Sequence, residues 1–478
     1  MTMQDATFWH QQMKAKKLSP LEFLEETIQK IKERNPEING LVDFDEAAAV
    51  KAAQAPQDWS KPFAGLPIPL KILGQDKKGW SNTMGSRWLS HSRASETDYF
   101  VRQLQQSGFY PAGQSNTPEF GLQNTTAPLL YGAAKNPWNT TFSPGGSSGG
   151  AAALVAAGIF PIAAASDGGG SIRIPASFTG LIGLKPTRGR MPVGPGTWRS
   201  WQGAAIAFAM TTSVRDTSRL LEAMQVVQAP AAYQTPLLDF NAPVKKQLKI
   251  GFYTTSPVQT VVSEDAIRVT REAATFLEKQ GHQVEEISYP VDGDALIRSY
   301  YLMNGAEMRG MFEAIGQTMG PVTKENIEPM SWVLNAYGKQ IPATDYLKAL
   351  ALWDQSSAVM ETLFTEYDVI LSPTTAQHAP KIGEDLVKIP KETLLAADDM
   401  RLPELDELVY QMFAPSLAYS PYTQLANLTG EPAISLPTGL TDIGLPIGIQ
   451  LQAGKGQERT LLMLAETFES AGQFHLAN

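Results

Sequence analysis

The sequence predicts an α/β fold with a sheet that contains parallel strand pairs. The main observation is a β-α-β pattern, in which residues 249–253 and 283–289 predict strands and Ser263 predicts the N-cap of the helix between them. With 43% hydrophobic and 18% charged residues, the chain has the composition of a globular protein, and 478 residues suffice to bury a large core. Further strands are predicted at residues 368–372, 433–436 and 447–452.

Helices are predicted at both ends of the chain and in its second half. Ser19 is expected to cap a helix that has Pro20 in its first turn. The periodicity also predicts helices at residues 100–106 and 459–470, and a mostly helical region at about 296–365. Residues 64–71 contain two Pro and predict an edge strand or an extended segment.

The composition excludes several classes of function. The net charge is −9 and there is no long run of Lys or Arg, which argues against nucleic-acid binding. The absence of Cys excludes a thiolate nucleophile and a Cys-ligated metal. The five His are scattered and form no local metal motif. We therefore expect neither a metal nor an organic cofactor.

No targeting or membrane segment is predicted. Residues 1–17 are polar and charged throughout and lack the apolar core of a signal peptide. No apolar run reaches the roughly 18 residues that a membrane span needs. A cytoplasmic protein without membrane association is expected.

A Gly/Ser-rich loop at residues 143–150 precedes an Ala-rich helical segment. A flexible linker is one interpretation, but the regular segments that flank the loop argue against it. A phosphate-binding loop is another, because backbone N–H groups gather where such a loop enters a helix. The Walker pattern would require a Lys, and none occurs between Lys135 and Lys185. Nucleotide binding is therefore not predicted.

A second Gly/Ser loop follows after one helix and a strand-like segment at residues 159–165. It places Gly168, Gly169 and Gly170 directly before Ser171. Such glycines let the backbone approach a ligand and present N–H donors, as in an oxyanion hole beside a nucleophilic Ser. For this motif alone, a tight turn is the alternative. One helix and one strand can return the second loop beside the first, where α/β proteins form ligand sites.

Together these segments resemble the amidase signature family. Its GGSSGG motif stands at residues 145–150, its G-S-D-x-G-G-S-I-R-x-P element at 165–175 and its G-x-K-P-T motif at 183–187. Other similar segments extend the resemblance over almost the whole chain, at residues 64–71, 116–120, 135–139, 430–437 and 444–450. Three positions depart from the common pattern: Ile72 replaces a frequent Asp, Gln114 a frequent Lys, and Ala165 a Gly.

The resemblance implies one domain over residues 1–478 with the amidase-signature α/β/α fold. In this fold a large, mixed, twisted sheet is covered by helices on both sides. The signature core would span about residues 64–220. Residues 296–365 would form a helical region around the substrate pocket.

The resemblance also implies a Ser–cis-Ser–Lys triad. Ser171 would be the nucleophile, Ser147 the bridging residue and Lys71 the base. A Ser hydroxyl needs a base to become a good nucleophile, and Lys can serve only when it is neutral. Burial among apolar residues lowers the pKa of Lys from about 10.4, and residues 69–73 are suitably apolar.

Supporting roles are implied for residues around the triad. Backbone N–H groups of residues 168–171 would form the oxyanion hole. Ser148 is expected to hydrogen-bond within the same relay. Asp167 and Arg173 are expected to pair and fix the loop, and the alternative is that Arg173 meets an anionic substrate.

The expected activity is hydrolysis of a carboxylic amide C–N bond in a small linear or cyclic amide, through an acyl-enzyme. Residues 185–190 look like those of aminohexanoate cyclic-dimer hydrolases, and the Ser-Arg-Tyr-Gly run of the amidotransferase is absent. The alternative is an amidotransferase A-type subunit that acts with a partner. We otherwise expect a monomer or homodimer that binds a small-molecule amide. Candidates for a hydrophobic acyl pocket are Trp198, Trp201, Tyr300, Tyr301 and Met303.

Overall fold

The structure is a computed structural model that describes residues 4–477. The helices are α1 (Ala6–Lys14), α2 (Pro20–Ile38), α3 (Glu46–Gln54), α4 (Tyr99–Gln106), α5 (Gly149–Ala156), α6 (Arg173–Thr179), α7 (Val214–Met224), α8 (Glu264–Lys279), α9 (Gly293–Met319), α10 (Pro329–Gly338), α11 (Ala343–Glu366), α12 (Lys391–Leu395), α13 (Leu402–Leu417), α14 (Gln424–Thr429) and α15 (Glu458–Ser470). The strands are β1 (Leu41–Asp43), β2 (Pro67–Lys71), β3 (Tyr110–Ser115), β4 (Ile162–Asp167), β5 (Ile182–Lys185), β6 (Ile206–Thr211), β7 (Lys249–Phe252), β8 (Gln283–Glu286), β9 (Val369–Pro373), β10 (Ala433–Leu440) and β11 (Pro446–Ala453).

An eight-stranded mixed sheet forms the centre of the molecule, in the order β4-β6-β5-β10-β11-β9-β7-β8. Neighbouring strands from β4 to β9 are antiparallel, whereas β7 pairs in parallel with both β8 and β9. Helices cover the sheet, and the predicted α/β class with a large mixed sheet is confirmed.

The β-α-β unit predicted around Ser263 is present as β7-α8-β8. The hydroxyl of Ser263 accepts a hydrogen bond from the N–H of Ala266, at 3.2 Å, and thereby caps α8. Strands β7 and β8 lie side by side in parallel, as the pattern predicted. The second strand ends at Glu286, earlier than predicted.

Strand β10 is longer than the apolar run at residues 433–436 predicted. It continues to Leu440 because it forms an antiparallel hairpin with β11, and pairing partners hold it beyond the apolar segment. The hairpin closes over a turn in which the N–H of Gly444 donates to the carbonyl of Thr441, at 2.8 Å.

A smaller three-stranded sheet, in the order β1-β3-β2, carries Lys71 at the end of β2. Strand β2 is an edge strand, as its two Pro predicted, and pairs in parallel with β3. All five of its residues are nevertheless buried, since β2 packs against β4 of the large sheet. This packing brings the end of β2 close to the loop that follows β4.

The helical predictions are confirmed, and α4 and α15 are the helices predicted at residues 100–106 and 459–470. Ser19 and Glu22 form a reciprocal capping box at the start of α2, and Pro20 is its first residue. Helices α9, α10 and α11 fill most of the region predicted as helical at residues 296–365. A separate apolar cluster lies between α9, α10 and α13, and includes Met308, Phe312, Val333 and Met412.

The structure contains no helix that is long and apolar enough to cross a membrane among residues 4–477.

Candidate active site

Lys71 is fully buried at the carboxyl end of β2. Its Nζ lies 2.7 Å from Oγ of Ser147 and 3.0 Å from Oγ of Ser166. Its backbone N–H donates to Oε1 of Gln75, whose Nε2 donates to the carbonyl of Ala165. Lys71 is therefore fixed to β4 and to both Gly/Ser loops.

The environment of Lys71 favours the neutral amine. Burial lowers the pKa of Lys71 to about 7, and the charge of Asp167 opposes part of this fall. Within residues 4–477 no carboxylate forms an ion pair with Lys71. A lysine with a pKa near neutral can take up a proton in the physiological range.

Ser147 lies in the first loop, two residues before the start of α5. The peptide bond between Gly146 and Ser147 is cis. The carbonyl of Ser147 accepts a hydrogen bond from Oγ1 of Thr117, at 2.9 Å. The whole loop from Ser143 to Gly150 is buried, and the interpretation as a flexible linker is excluded.

The two Gly/Ser loops lie side by side, as the intervening helix and strand predicted. Oγ of Ser148 donates to the carbonyl of Ser166, at 3.1 Å. The N–H of Ser166 is 3.3 Å from the same hydroxyl. Ser148 thus ties the loops together, and Ser166 extends the set of hydroxyls around Lys71.

Two glycines of the loops have no room for a side chain. A Cβ on Gly146 would lie 2.6 Å from the carbonyl oxygen of Thr125. A Cβ on Gly169 would lie 2.6 Å from the hydroxyl of Tyr300. These close approaches explain why the loops are rich in glycine at these positions.

Ser171 lies in the second loop and is partly exposed to a cavity that Ser147 and Ser166 also line. Within residues 4–477 its hydroxyl makes no hydrogen bond, so its contact with Ser147 stays a prediction. The structure thus brings all three predicted triad residues to one place, with the Lys71–Ser147 contact formed.

The backbone N–H groups of the second loop divide into two sets. The N–H of Gly170 donates to Oδ1 of Asp167, at 2.7 Å. The N–H groups of Gly168, Gly169 and Ser171 have no hydrogen-bond acceptor in the described part of the chain, and all three residues line the cavity. The N–H of Gly170 is thus engaged with Asp167, and the assignment of the oxyanion hole to residues 168–171 stays a prediction.

Asp167 and Arg173 form a fully buried ion pair. Nε and Nη2 of Arg173 donate to the two carboxylate oxygens of Asp167, both at 2.9 Å. Nη1 donates to Gln450, and Nη2 also donates to Asn427. Burial would raise the pKa of Asp167, but Arg173 and the amide of Asn427 outweigh it and lower this pKa to about 2.

This network places Arg173 outside the cavity wall. The side chain is 0% exposed, and its nitrogens are directed at Asp167, Asn427 and Gln450. The alternative that Arg173 meets an anionic substrate is therefore excluded. Asp167 and Arg173 instead fix the loop that carries Ser171, because Asp167 also accepts the N–H groups of Gly170 and Ile172.

We expect Arg173→Met to lower the free energy of unfolding by about 3–5 kcal/mol, because it leaves the Asp167 carboxylate buried and unpaired. Urea unfolding followed by circular dichroism measures this loss. The matched control is Arg268→Met, which removes a 42% exposed Arg paired with Asp265 and should cost about 1 kcal/mol or less. A loss below about 1 kcal/mol for Arg173→Met would contradict the structural role.

The cavity beside the loops has a volume of about 310 Å³. Of the predicted pocket residues, Trp201, Tyr300 and Tyr301 line it. Trp198 does not, since it packs on Tyr99 and Gly194. Met303 does not line it either and is fully buried in an apolar cluster that packs against Trp201 and Tyr300. Further aromatic lining comes from Phe100, Phe120 and Phe413.

Several residues of the site were not singled out from the sequence. Ser166 directly precedes Asp167 in the motif at residues 165–175, and this position is the sequence signal that could have identified it. Asn427 and Gln450 hold Arg173 but lie far along the chain, and nothing local marks them. Tyr300 was proposed as a pocket residue, yet its hydroxyl also donates to the carbonyl of Gly168, at 3.1 Å.

The geometry places a buried lysine in contact with two serine hydroxyls, beside a cavity that Ser171 also lines. Residues 22–462 match the Amidase family, and the chain belongs to this family. The predicted membership is confirmed, and so is amide hydrolysis as the activity class.

Individual relatives agree with this assignment. The chain is 38% identical over 461 residues to a lipoamidase from Enterococcus faecalis, covering 96% of this chain but 62% of that protein. It is 33% identical to a 6-aminohexanoate-cyclic-dimer hydrolase from Pseudomonas sp., covering 98% of this chain and 94% of the relative. A solved structure of 6-aminohexanoate cyclic dimer hydrolase superimposes with a TM-score of 0.87 at 32% identity, over 98% of this chain and 97% of the other.

Proposed function

We propose that this amidase hydrolyses small, mainly apolar carboxylic amides through Ser171, Ser147 and Lys71. The observation that carries the proposal is the 2.7 Å contact between Nζ of Lys71 and Oγ of Ser147, at the wall of a cavity that Ser171 also lines. A buried amine with a pKa of about 7 is suited to accept the proton that activates a serine.

In the first step, neutral Lys71 accepts the hydroxyl proton of Ser147, and Ser147 accepts that of Ser171. Oγ of Ser171 attacks the amide carbon, and the carbonyl π electrons move to its oxygen. The second acceptor near Lys71, Oγ of Ser166 at 3.0 Å, holds the ammonium that forms.

The developing oxyanion needs hydrogen-bond donors in a site with little water. The unbonded N–H groups of Gly168, Gly169 and Ser171 supply them in this proposal. Removing a single donor of this kind typically costs about 10²–10³-fold in turnover.

The intermediate collapses when the C–N bond breaks and the nitrogen takes a proton from Lys71 through Ser147. This leaves an ester between the acyl group and Ser171. Water then attacks the ester while Lys71, through Ser147, accepts its proton. The C–O bond to Ser171 breaks, Oγ of Ser171 takes the proton back, and the carboxylic acid leaves. The same residues serve as base and acid in turn.

The substrate class follows from the cavity and the relatives. Aromatic side chains form much of the wall, so an apolar acyl or amine group would fit. We propose lipoamide and the 6-aminohexanoate cyclic dimer as probes, because the relatives carry the names of these substrates.

The test is a screen of the purified chain against these two compounds, simple aliphatic amides, aryl amides and a dipeptide amide. We expect hydrolysis of at least one small amide by the isolated chain, measured as released acid by mass spectrometry. No hydrolysis of any of these amides would argue against the proposal.

An amidotransferase subunit remains the alternative function. Such a subunit would release ammonia from glutamine and depend on a partner. Gel filtration and a glutaminase assay of the isolated chain distinguish the two functions. A free-standing amidase should be a monomer or homodimer and should be active on an amide other than glutamine without a partner.

We expect activity to persist after exhaustive dialysis against EDTA, since the proposed steps use only Ser, Lys and backbone groups. In the described part of the chain, no group of three His, Asp or Glu is arranged to hold a metal. Loss of turnover under EDTA, with recovery after adding back one metal, would contradict this expectation.

A further inference from the structure

The wall of the cavity is unusual in its charge. Two carboxylates line it, Asp76 and Asp98, and no Lys, Arg or His does so among residues 4–477. Lys71 contacts the wall only through Ser147 and Ser166, and its lowered pKa favours the neutral form. The cavity therefore offers a bound molecule two carboxyl groups without a compensating cation in its wall.

The two carboxylates lie close together. The N–H of Asp76 donates to Oδ2 of Asp98, at 2.8 Å, and the N–H of Asp98 donates to the carbonyl of Asp76, at 2.9 Å. Asn82 donates its Nδ2 to Asp76, at 2.9 Å. No Lys or Arg in the described part of the chain forms an ion pair with either carboxylate.

The surrounding charges do not neutralise the pair. Burial and the charge of Glu96 raise the pKa of Asp98, and the charge of Arg102 opposes only part of this rise. Arg102 donates to the carbonyl of Thr97 and lies outside the cavity wall. Burial, together with the charge of Asp98, raises the pKa of Asp76 to about 7. Such a rise is expected where two neighbouring carboxylates have no cation between them.

A further residue of the cavity wall has an acceptor atom without a hydrogen-bond donor. Gln424 is 8% exposed and its Oε1 has no hydrogen-bond donor within residues 4–477. Its Nε2 donates to the carbonyl of Ser420, at 2.9 Å, which identifies Oε1 as the acceptor. The residues of the wall thus include a buried acceptor that no donor among residues 4–477 satisfies.

We propose that the cavity selects amides that carry an ammonium group away from the scissile bond, and that Asp76 and Asp98 are the residues that bind it. A substrate with a free carboxylate is rejected by the same pair. This inference rests on the proposed amide hydrolysis and specifies its substrate class.

Two matched substrate series test the proposal. In the first, the p-nitroanilides of 6-aminohexanoic acid, hexanoic acid and adipic acid end the same acyl chain in ammonium, methyl or carboxylate. In the second, hexanoyl amides of 1,5-diaminopentane, pentylamine and 5-aminopentanoic acid place these charges on the amine. In at least one series, kcat/KM should be about 10-fold higher for the ammonium than for the neutral member, and at least about 10-fold lower for the carboxylate. No such ordering in either series would overturn the proposal.

Variants assign the selectivity to the pair. Asp76→Asn and Asp98→Asn keep an acceptor for their hydrogen bonds, and each should reduce the ammonium-to-neutral ratio of kcat/KM by about 10-fold. Glu96→Gln is the matched control, because Glu96 is exposed and does not line the cavity. Its ratio should stay within about twofold of wild type. Unchanged ratios in both Asp variants would refute the assignment.

Binding separates this inference from the proposed reaction. Calorimetry with Ser171→Ala measures the affinity of each compound without turnover. Tighter binding of the ammonium members supports the charge selection even if no compound is hydrolysed by wild type, a result that would contradict the proposed reaction alone. Equal affinity for ammonium and carboxylate members would overturn the selection.

Discussion

Ser171→Ala is expected to lower kcat/KM by about 10⁴-fold or more, because the variant retains the cavity but has no hydroxyl to attack the amide. The measurement is turnover of a small p-nitroanilide under single-turnover and steady-state conditions. The fold should be preserved, since Ser171 is partly exposed and makes no side-chain hydrogen bond within residues 4–477.

The matched control for this change is Ser90→Ala. Ser90 is an exposed residue that does not line the cavity, and its loss should leave kcat/KM within about twofold. Retention of a tenth or more of the activity in Ser171→Ala would remove Ser171 from the role of nucleophile.

The second large effect is expected at Lys71. Both Lys71→Ala and Lys71→Arg should lower kcat/KM by at least about 10²–10⁴-fold, because general-base catalysis is lost and nucleophile activation fails with it. Arg keeps the positive charge but does not deprotonate in the working pH range. If Lys71 acted only through its charge, the Arg variant would retain much of the activity.

The pH profile provides an independent check on Lys71. Burial lowers its pKa to about 7, and the base must be unprotonated. The wild-type kcat/KM should therefore fall as the pH decreases through about 7, and level off above it. Asp167 stays ionised over this range because its pKa is about 2.

A second buried lysine requires a control in this experiment. Burial lowers the pKa of Lys185 to about 7 as well, and the charge of Arg173 contributes. Its Nζ donates to the carbonyl of Pro186, at 2.7 Å, and Lys185 does not line the cavity. The acidic limb should persist in Lys185→Met. Its disappearance in that variant would assign the titration to Lys185 instead.

Much of the fold could be predicted because local signals agree with tertiary structure. The Ser263 cap and its flanking apolar segments specify β7, α8 and β8, and a β-α-β unit favours parallel neighbours. The length of β10 could not be predicted, since hairpin partners rather than its own residues extend it. The expectation of one domain over residues 1–478 stays a prediction.

The site divides in the same way. The resemblance of contiguous motifs to the amidase signature family points to Ser147, Ser171 and Lys71, and the Gly and Ser residues mark the two loops. The bond from Gly170 to Asp167 could not be read from that pattern, since it depends on how the loop turns. Asn427 became visible only in the structure, because it lies 260 residues from its partner Asp167 along the chain. Asp76 and Asp98 are brought together by the turn of the segment between β2 and α4.

The central claim is that Ser171 becomes acylated with Lys71 as its base. The most direct measurement is peptide mapping by mass spectrometry after reaction with a fluorophosphonate, in wild type and in Lys71→Arg. The account predicts one adduct, on the peptide that contains Ser171, formed at least about 10²-fold more slowly in Lys71→Arg. Inactivation of wild type with the adduct on another serine, and Ser171 unmodified, would contradict it.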